Sequence, residues 1–219
     1  MMERVGPGQR PGGGWPGEGP VLAPPIDQWS GSSFANLPIG QGLSMTLLQM
    51  TGMYQAIAND GVRIPPRIIK SVIGADGSRA DEPQPEGIRV VSPQTAQTVR
   101  NMLRAVVQKD PRGIQQGTGS GAAVEGYQIA GKTGTAQQIN PACGCYYDDH
   151  YWITFAGMAP SDNPRYVVGI MADNPHRTAD GQPGTTMAPL FHHIAAWLLQ
   201  RENVPLSPDP GPPLVLQAA

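Results

Sequence analysis

Three consecutive β-strand patterns in the second half of the chain restrict the fold more than any other feature of the sequence. They cover residues 127–137, 151–158 and 165–173, and the third contains the longest apolar run of the chain, residues 166–172. Residues 159–164, Ala-Pro-Ser-Asp-Asn-Pro, have the length and residue types of a hairpin connection. Because short connections between consecutive strands require antiparallel pairing, we expect an antiparallel sheet.

Helical signals flank these strands. Thr46 and Gln49 have the spacing of a capping box, and the helix that they start should end at residues 59–61, Asn-Asp-Gly. A second helix should begin at Ser92 and Pro93, and the apolar residues 187–199 predict a closing helix that could cover the sheet. Helices packed on an antiparallel sheet make the predicted fold class α+β. The apolar stripe of the second helix is expected to consist of Val99, Met102, Leu103, Val106 and Val107.

Composition narrows the classes of partner and the limits of the domain. The formal net charge of −2 gives no electrostatic reason to expect nucleic acid as a partner. Proline and glycine cluster at the two ends, so residues 1–204 are predicted to hold the domain and residues 205–219 to form a flexible Pro-rich tail. No stretch reaches the ~18 apolar residues of a membrane-spanning helix, and the N-terminus lacks the apolar segment of a secretory signal. We expect either a soluble cytoplasmic protein or a piece whose export and anchoring segments lie upstream.

The chain contains no motif that demands a metal or a cofactor. Cys143 and Cys145 are separated by one residue, which allows either a disulfide or two free thiols. His150 lies nearby, but thiol metal sites use wider spacing and further ligands, so neither a metal nor a cofactor is expected. Residues 117–121, Gly-Thr-Gly-Ser-Gly, lack the lysine of a phosphate-binding loop and predict a mobile loop instead.

The residues that indicate chemistry lie in the first of the three strands. Lys132 is followed by Thr133, Gly134 and Thr135, an unusual set for a strand that only packs. Gly134 removes a side chain and would let another backbone approach, while the two threonines would offer hydroxyls on one face. The ammonium of Lys132 favours an anion, so this edge could bind an extended peptide and hold its terminal carboxylate. The alternative is an exposed glycine-containing strand with a surface lysine.

Seven collinear stretches, of which the Lys-Thr-Gly strand is one, resemble the C-terminal two-thirds of the transpeptidase domain of class B penicillin-binding proteins. The resemblance is to the division-specific type of actinobacteria, and it covers nearly the whole chain, including residues 1–204. It implies that the α+β sheet is part of the penicillin-binding and β-lactamase-like transpeptidase fold. The matching stretches are residues 5–12 together with 16–18, then 39–42, 46–61, 117–119, 129–137, 155–160 and 188–194.

The resemblance also implies a function and a role for each residue of the motif. Lys132 would give electrostatic support beside a serine nucleophile, and the backbone N–H of Thr135 would be one oxyanion-hole donor. Thr133, Gly134 and Thr135 would bind the substrate, an acyl-D-Ala-D-Ala stem peptide or a β-lactam. The parent protein would cross-link septal peptidoglycan at the extracytoplasmic face of the cytoplasmic membrane, with other cell-division proteins as further partners.

Two motifs of the same family are missing from the positions before the Lys-Thr-Gly strand where the resemblance would place them. None of the three lysines has a serine three residues before it, so there is no Ser-x-x-Lys and no nucleophile in this chain. Residues 161–163, Ser-Asp-Asn, spell the second motif but follow the Lys-Thr-Gly strand, and we interpret them as a turn. We expect a chain that starts late in its domain and is inactive alone. The alternative is a degenerate module that binds peptides or proteins without catalysis.

Residues 138–151 are longer or differently composed than the resemblance requires. Tyr147 and Trp152 lie near the edge of the predicted strands. These two aromatic side chains could form a wall of the substrate cleft, although core packing is the expected role.

Overall fold

The computed structural model describes residues 25–31, 33–36, 40, 42–109, 116–175 and 187–209. The matching stretch at residues 5–12 and the end of the predicted tail, residues 210–219, lie outside this range. The chain divides into two compact units, Met1–Ser92 and Pro93–Ala219. Both combine helices with antiparallel strands, which confirms the α+β class.

The first unit is organised around one well-capped helix. After the short helix α1 (Ser33–Asn36), helix α2 (Leu47–Ala58) begins where the capping box predicts. The backbone N–H of Gln49 donates to Thr46 Oγ1 at 3.2 Å, and the Gln49 side chain accepts from the Thr46 backbone N–H at 2.8 Å. Gly61 then turns the chain with a φ of +85°, and a Cβ there would lie 2.2 Å from the Val91 carbonyl oxygen. The predicted start and stop are both confirmed.

Two small hairpin-like sheets complete the first unit. Strand β1 (Val62–Arg63) pairs with β4 (Ile88–Arg89), and β2 (Ser71–Ile73) pairs with β3 (Arg79–Asp81). Strand β2 thus covers only the last three residues of the β-branched segment at residues 67–73. Its partner strand ends just before residue 83, a proline without a backbone N–H to extend the ladder.

The second unit opens with helix α3 (Pro93–Arg104), which begins at the predicted position. Its buried side chains are Ala96 and Arg100. Met102, predicted to belong to the apolar stripe, is 65% exposed. This part of the prediction was wrong because Met102 follows Arg100 by two residues, about 200° around the helix. The predicted stripe also included two valines, residues 106 and 107, that lie beyond the end of the helix.

The three predicted strands form one antiparallel sheet in the order β5-β6-β7. They are β5 (Ala130–Ile139), β6 (Tyr146–Ala159) and β7 (Tyr166–Asp173). Strand β6 begins five residues before its predicted start, because the β5-β6 hairpin continues past the sheet with a register shift between Gln137 and Ile139. The β5-β6 hairpin therefore extends beyond the end of β7 as a two-stranded ribbon.

Helix α4 (Met187–Arg201) covers one face of this sheet, as the sequence predicts. The rings of Phe155 in β6 and Phe191 in α4 are fully buried, and their centroids lie 4.8 Å apart. Gly131 and Gly157 are paired across β5 and β6, next to these rings. Added Cβ atoms at the two glycines would lie within 3.0 Å of Phe155, so the absence of side chains there makes room for the aromatic core.

The C-terminal segment, residues 204–209, contacts the residues just before β5 and the β6-β7 turn, and we call it the strap. The backbone N–H of Gln128 donates to Ser207 Oγ at 2.9 Å, and Ser207 Oγ donates to Asp162 Oδ1 at 2.9 Å. Ser207 N–H also donates to the Gly126 carbonyl oxygen at 3.0 Å. The sequence placed the start of a flexible tail at residue 205, whereas residues 205–209 are bound to the domain by these contacts. Asp162 belongs to the Ser-Asp-Asn segment, which is the β6-β7 turn, as interpreted from the sequence.

Candidate functional site

The Lys-Thr-Gly motif lies on an edge strand. Lys132 to Thr135 pair with residues 153–156 of β6, and no described strand pairs with the other edge of β5. The backbone groups on that outer edge are therefore available to an added strand. The side chain of Lys132 is exposed, and its Nζ donates to the Thr133 carbonyl oxygen at 2.9 Å. Within the described part of the chain, no carboxylate lies at ion-pair distance from this ammonium.

The four residues of the motif alternate between the two faces of the sheet. Thr133 lies opposite Phe155, on the face that α4 covers, and Thr135 follows on the same face at a more exposed position. Gly134 lies on the other face opposite Thr154, and a Cβ on Gly134 would be 2.2 Å from Thr154 Oγ1. The glycine thus makes room for the Thr154 side chain, a contact that the sequence did not predict.

The Gly-rich loop before β5 is held against the preceding segment, in contrast to the mobile loop that we expected. Gly117 N–H donates to the Gln108 carbonyl oxygen at 2.9 Å, and Gly119 N–H donates to the Val106 carbonyl oxygen at 2.8 Å. Thr118, between the two glycines, has its Oγ1 atom 3.0 Å from Thr133 Oγ1. No role was predicted for Thr118, because its contact joins residues 15 positions apart.

The far end of the β5-β6 hairpin is closed by a disulfide between Cys143 and Cys145, so of the two states left open the oxidised one is present. Tyr147 stacks on His150 with ring centroids 4.4 Å apart. Trp152 lies opposite Ala136 and is 36% exposed, so the expected core role is wrong for this residue. No group of three potential ligands that could hold a metal occurs in the described ranges.

Trp152 lies on the same face of the sheet as Lys132. It pairs with Ala136, which follows Lys132 by four positions along β5, and side chains an even number of positions apart point to the same face. The site therefore consists of an open strand edge, an exposed ammonium at one end and an aromatic side chain farther along the hairpin. Such an arrangement can bind an extended chain that carries a negative charge at its end.

Comparison with known proteins identifies the family of the chain. Residues 1–196 match the family model of the penicillin-binding protein transpeptidase domain. The chain is 76% identical over 218 residues to penicillin-binding protein PbpB of Mycobacterium tuberculosis, of which it covers 32%. It is 33% identical to a probable peptidoglycan D,D-transpeptidase, PbpC, of Pseudomonas aeruginosa and covers 33% of that protein.

A solved structure gives the same relationship in three dimensions. The structure of penicillin-binding protein 3 from Mycobacterium tuberculosis in complex with ampicillin matches with a TM-score of 0.92 and 76% identity. All of this chain is covered, but only 48% of that one. The chain spans about a third of the length of the curated relatives that it matches. Because the family model matches most of the sequence, this chain belongs to the penicillin-binding protein transpeptidase family.

Proposed function

We propose that this chain forms the carboxylate-binding side of a peptidoglycan D,D-transpeptidase site. The observation that carries the proposal is the open outer edge of β5 at Lys132 to Thr135. A stem peptide would lie along this edge as an added strand, with its terminal carboxylate at the hydroxyls of Thr133 and Thr135. Gly134, between these two threonines, keeps the strand narrow at the point of binding.

The reaction would be acyl transfer in two steps. A serine hydroxyl attacks the carbonyl carbon of the penultimate D-alanine, the peptide bond breaks, and the terminal D-alanine leaves with a proton on its amine. An amine of a second stem peptide then attacks the resulting ester, forms the cross-link and releases the serine. A β-lactam would stop the cycle at the ester stage, because its ring opens without losing a fragment.

Lys132 and Thr135 would act on the charges that develop during these steps. The ammonium of Lys132, which no described carboxylate neutralises, would stabilise negative charge next to the attacking oxygen. The backbone N–H of Thr135 would donate to the carbonyl oxygen as it becomes an oxyanion. The serine would come from sequence that this chain does not contain, since no lysine here follows a serine by three positions.

Similarity to its relatives favours this function over a non-catalytic module. The chain is 76% identical to a relative that is named as a penicillin-binding protein. The matching structure of penicillin-binding protein 3 was solved in complex with ampicillin. The β-lactams and the stem peptide are therefore the proposed ligands.

The proposed place of action is the extracytoplasmic face of the cytoplasmic membrane, in septal wall synthesis together with cell-division proteins. The resemblance to division-specific penicillin-binding proteins supports this assignment. Among the described residues, no helix combines the length and apolar character needed to cross a membrane.

Covalent labelling with a fluorescent penicillin tests the proposal. The chain alone should show no label after denaturation, whereas a protein that joins it to a Ser-x-x-Lys segment of the family should be labelled. In that longer protein, Lys132→Ala should abolish labelling while the circular dichroism spectrum stays unchanged. Lys70→Ala, which removes an exposed lysine of the first unit, is the matched control and should label normally.

Two results would contradict the proposal. Label that survives denaturation on the chain alone would mean that another nucleophile is present in it. Normal labelling of a folded Lys132→Ala variant would mean that the site lies elsewhere.

A further inference from the structure

The hydroxyl groups of Thr118 and Thr133 form a hydrogen bond next to the proposed substrate-binding edge. Their Oγ1 atoms lie 3.0 Å apart, and by geometry either oxygen could be the donor. Thr133 is half-buried on β5, and Thr118 is exposed in the loop before it. The bond therefore joins the binding strand to a loop that lies beside it.

The loop that carries Thr118 is fixed on both sides by its glycines. A Cβ on Gly117 would lie 2.2 Å from the Val106 carbonyl oxygen, and a Cβ on Gly119 would lie 2.9 Å from Phe155 Cε2. Both glycines also donate backbone hydrogen bonds to the preceding segment. Because larger residues cannot approach so closely, Thr118 is held in one place relative to Thr133.

The direction of the bond follows from the number of hydrogens available. A threonine hydroxyl has one hydrogen to donate and two lone pairs that accept. A carboxylate can only accept, so Thr133 must use its single hydrogen when it binds one. The hydrogen between the two hydroxyls must then come from Thr118.

We propose that Thr118 is a positioning residue of the substrate site, which donates to Thr133 and so directs the hydrogen of Thr133 toward the carboxylate of the substrate. This inference rests on the proposed function, because it assumes that Thr133 binds that carboxylate. The contact also holds the Thr133 side chain in one rotamer, and a hydroxyl that accepts a hydrogen bond becomes a stronger donor.

The test uses the longer, penicillin-reactive protein described above and measures the second-order rate constant of acylation. Thr118→Val keeps the shape of the side chain but removes the hydroxyl, and it should lower this constant roughly three- to tenfold. Thr118→Ser retains the donor and should stay within about twofold of the wild type. Thr98→Val is the matched control, because the Thr98 hydroxyl also donates a hydrogen bond, to the Gln94 carbonyl oxygen on α3.

A double-mutant cycle separates positioning from direct binding and from simple structural damage. If Thr118 acts through Thr133, Thr118→Val should have no further effect in a Thr133→Val background. A penicillin ester, which lacks the negative charge, should also be nearly insensitive to Thr118→Val. Loss of structure would instead lower the rates for both compounds and in both backgrounds.

Each outcome bears on one proposal. If the wild-type protein is acylated and Thr118→Val reacts at the wild-type rate, the role of Thr118 is refuted while the transpeptidase site stands. A full Thr118→Val effect in the Thr133→Val background would also refute it, because Thr118 would then contact the ligand directly. If the wild-type protein itself is not acylated, the proposed function has failed first.

Discussion

Replacing Gly131 with alanine should destabilise the sheet of the second unit, because the glycine makes room for a buried ring beside the binding strand. A Cβ at residue 131 would lie 2.7 Å from Phe155 Cζ and 2.8 Å from the Ala156 carbonyl oxygen. Ordinary contacts begin at about 3.4 Å. The carbonyl belongs to the backbone of β6 and the ring is fully buried, so neither can move without disturbing the packing.

Two opposing effects set the size of the loss. Overpacking a well-packed core costs typically ~1–3 kcal/mol, while replacing glycine stabilises by ~0.4–1 kcal/mol through the unfolded chain. Since the backbone at Gly131 does not have a positive φ, no further strain is added. The free energy of unfolding should therefore fall by roughly 1–2 kcal/mol.

Urea denaturation followed by tryptophan fluorescence measures this change. Gly52→Ala in α2 is the matched control, because no described atom lies within 4 Å of a Cβ there and a helix favours alanine. Adding Phe155→Leu to Gly131→Ala should cost less than the sum of the two single changes, because the smaller side chain vacates the space. The reasoning is refuted if Gly131→Ala is as stable as Gly52→Ala, or if the double change is additive.

Other outcomes concern groups away from the binding strand. Burial raises the pKa of Tyr54 to about 12. Between pH ~10 and ~12, Tyr54 is deprotonated in the unfolded chain but keeps its proton in the folded one. The free energy of unfolding should therefore fall as the pH rises through this range. In Tyr54→Phe, the urea midpoint should fall less steeply between pH ~10 and ~12 than in the wild type. An equal pH dependence of the midpoint in the two proteins would contradict the burial of Tyr54. Ser207→Ala should cost about 1–2 kcal/mol, because a backbone N–H and the Asp162 carboxylate each lose a partner; an unchanged midpoint would argue against the strap. The disulfide between Cys143 and Cys145 closes a very short loop, so it restricts the unfolded chain only slightly. Replacing both cysteines with serine should therefore lower the free energy of unfolding by less than ~2 kcal/mol. A larger loss in the same assay would show that the disulfide does not act through the entropy of the unfolded chain alone.

Local signals in the sequence were sufficient to predict the main helices of both units and the sheet of the second. The capping pair Thr46 and Gln49 fixes the start of α2 because the two residues bind each other within one turn. The short β6-β7 connection and the apolar closing helix likewise predict the sheet and its cover. These features depend on residues near one another in sequence, and the structure confirms them.

The features that the sequence did not reveal depend on contacts between distant segments. Met102 has the residue type of a core position, yet Ala96 and Arg100 define the buried face of α3. Thr118 could be assigned no partner, because its hydrogen bond to Thr133 requires the loop to fold back on β5. The contact of Gly134 with Thr154 was likewise not predicted, since Thr154 belongs to another strand.

The strap has a practical consequence for where this domain can be cut. The family model ends at residue 196, which is inside helix α4 and before the fully buried Leu199. A protein trimmed to that boundary would lose Leu199, uncover the core against which it packs, and leave the N–H of Gln128, two residues before β5, without its partner. Expression boundaries, affinity tags and protease sites therefore belong after residue 209, where they leave the start of the binding strand intact.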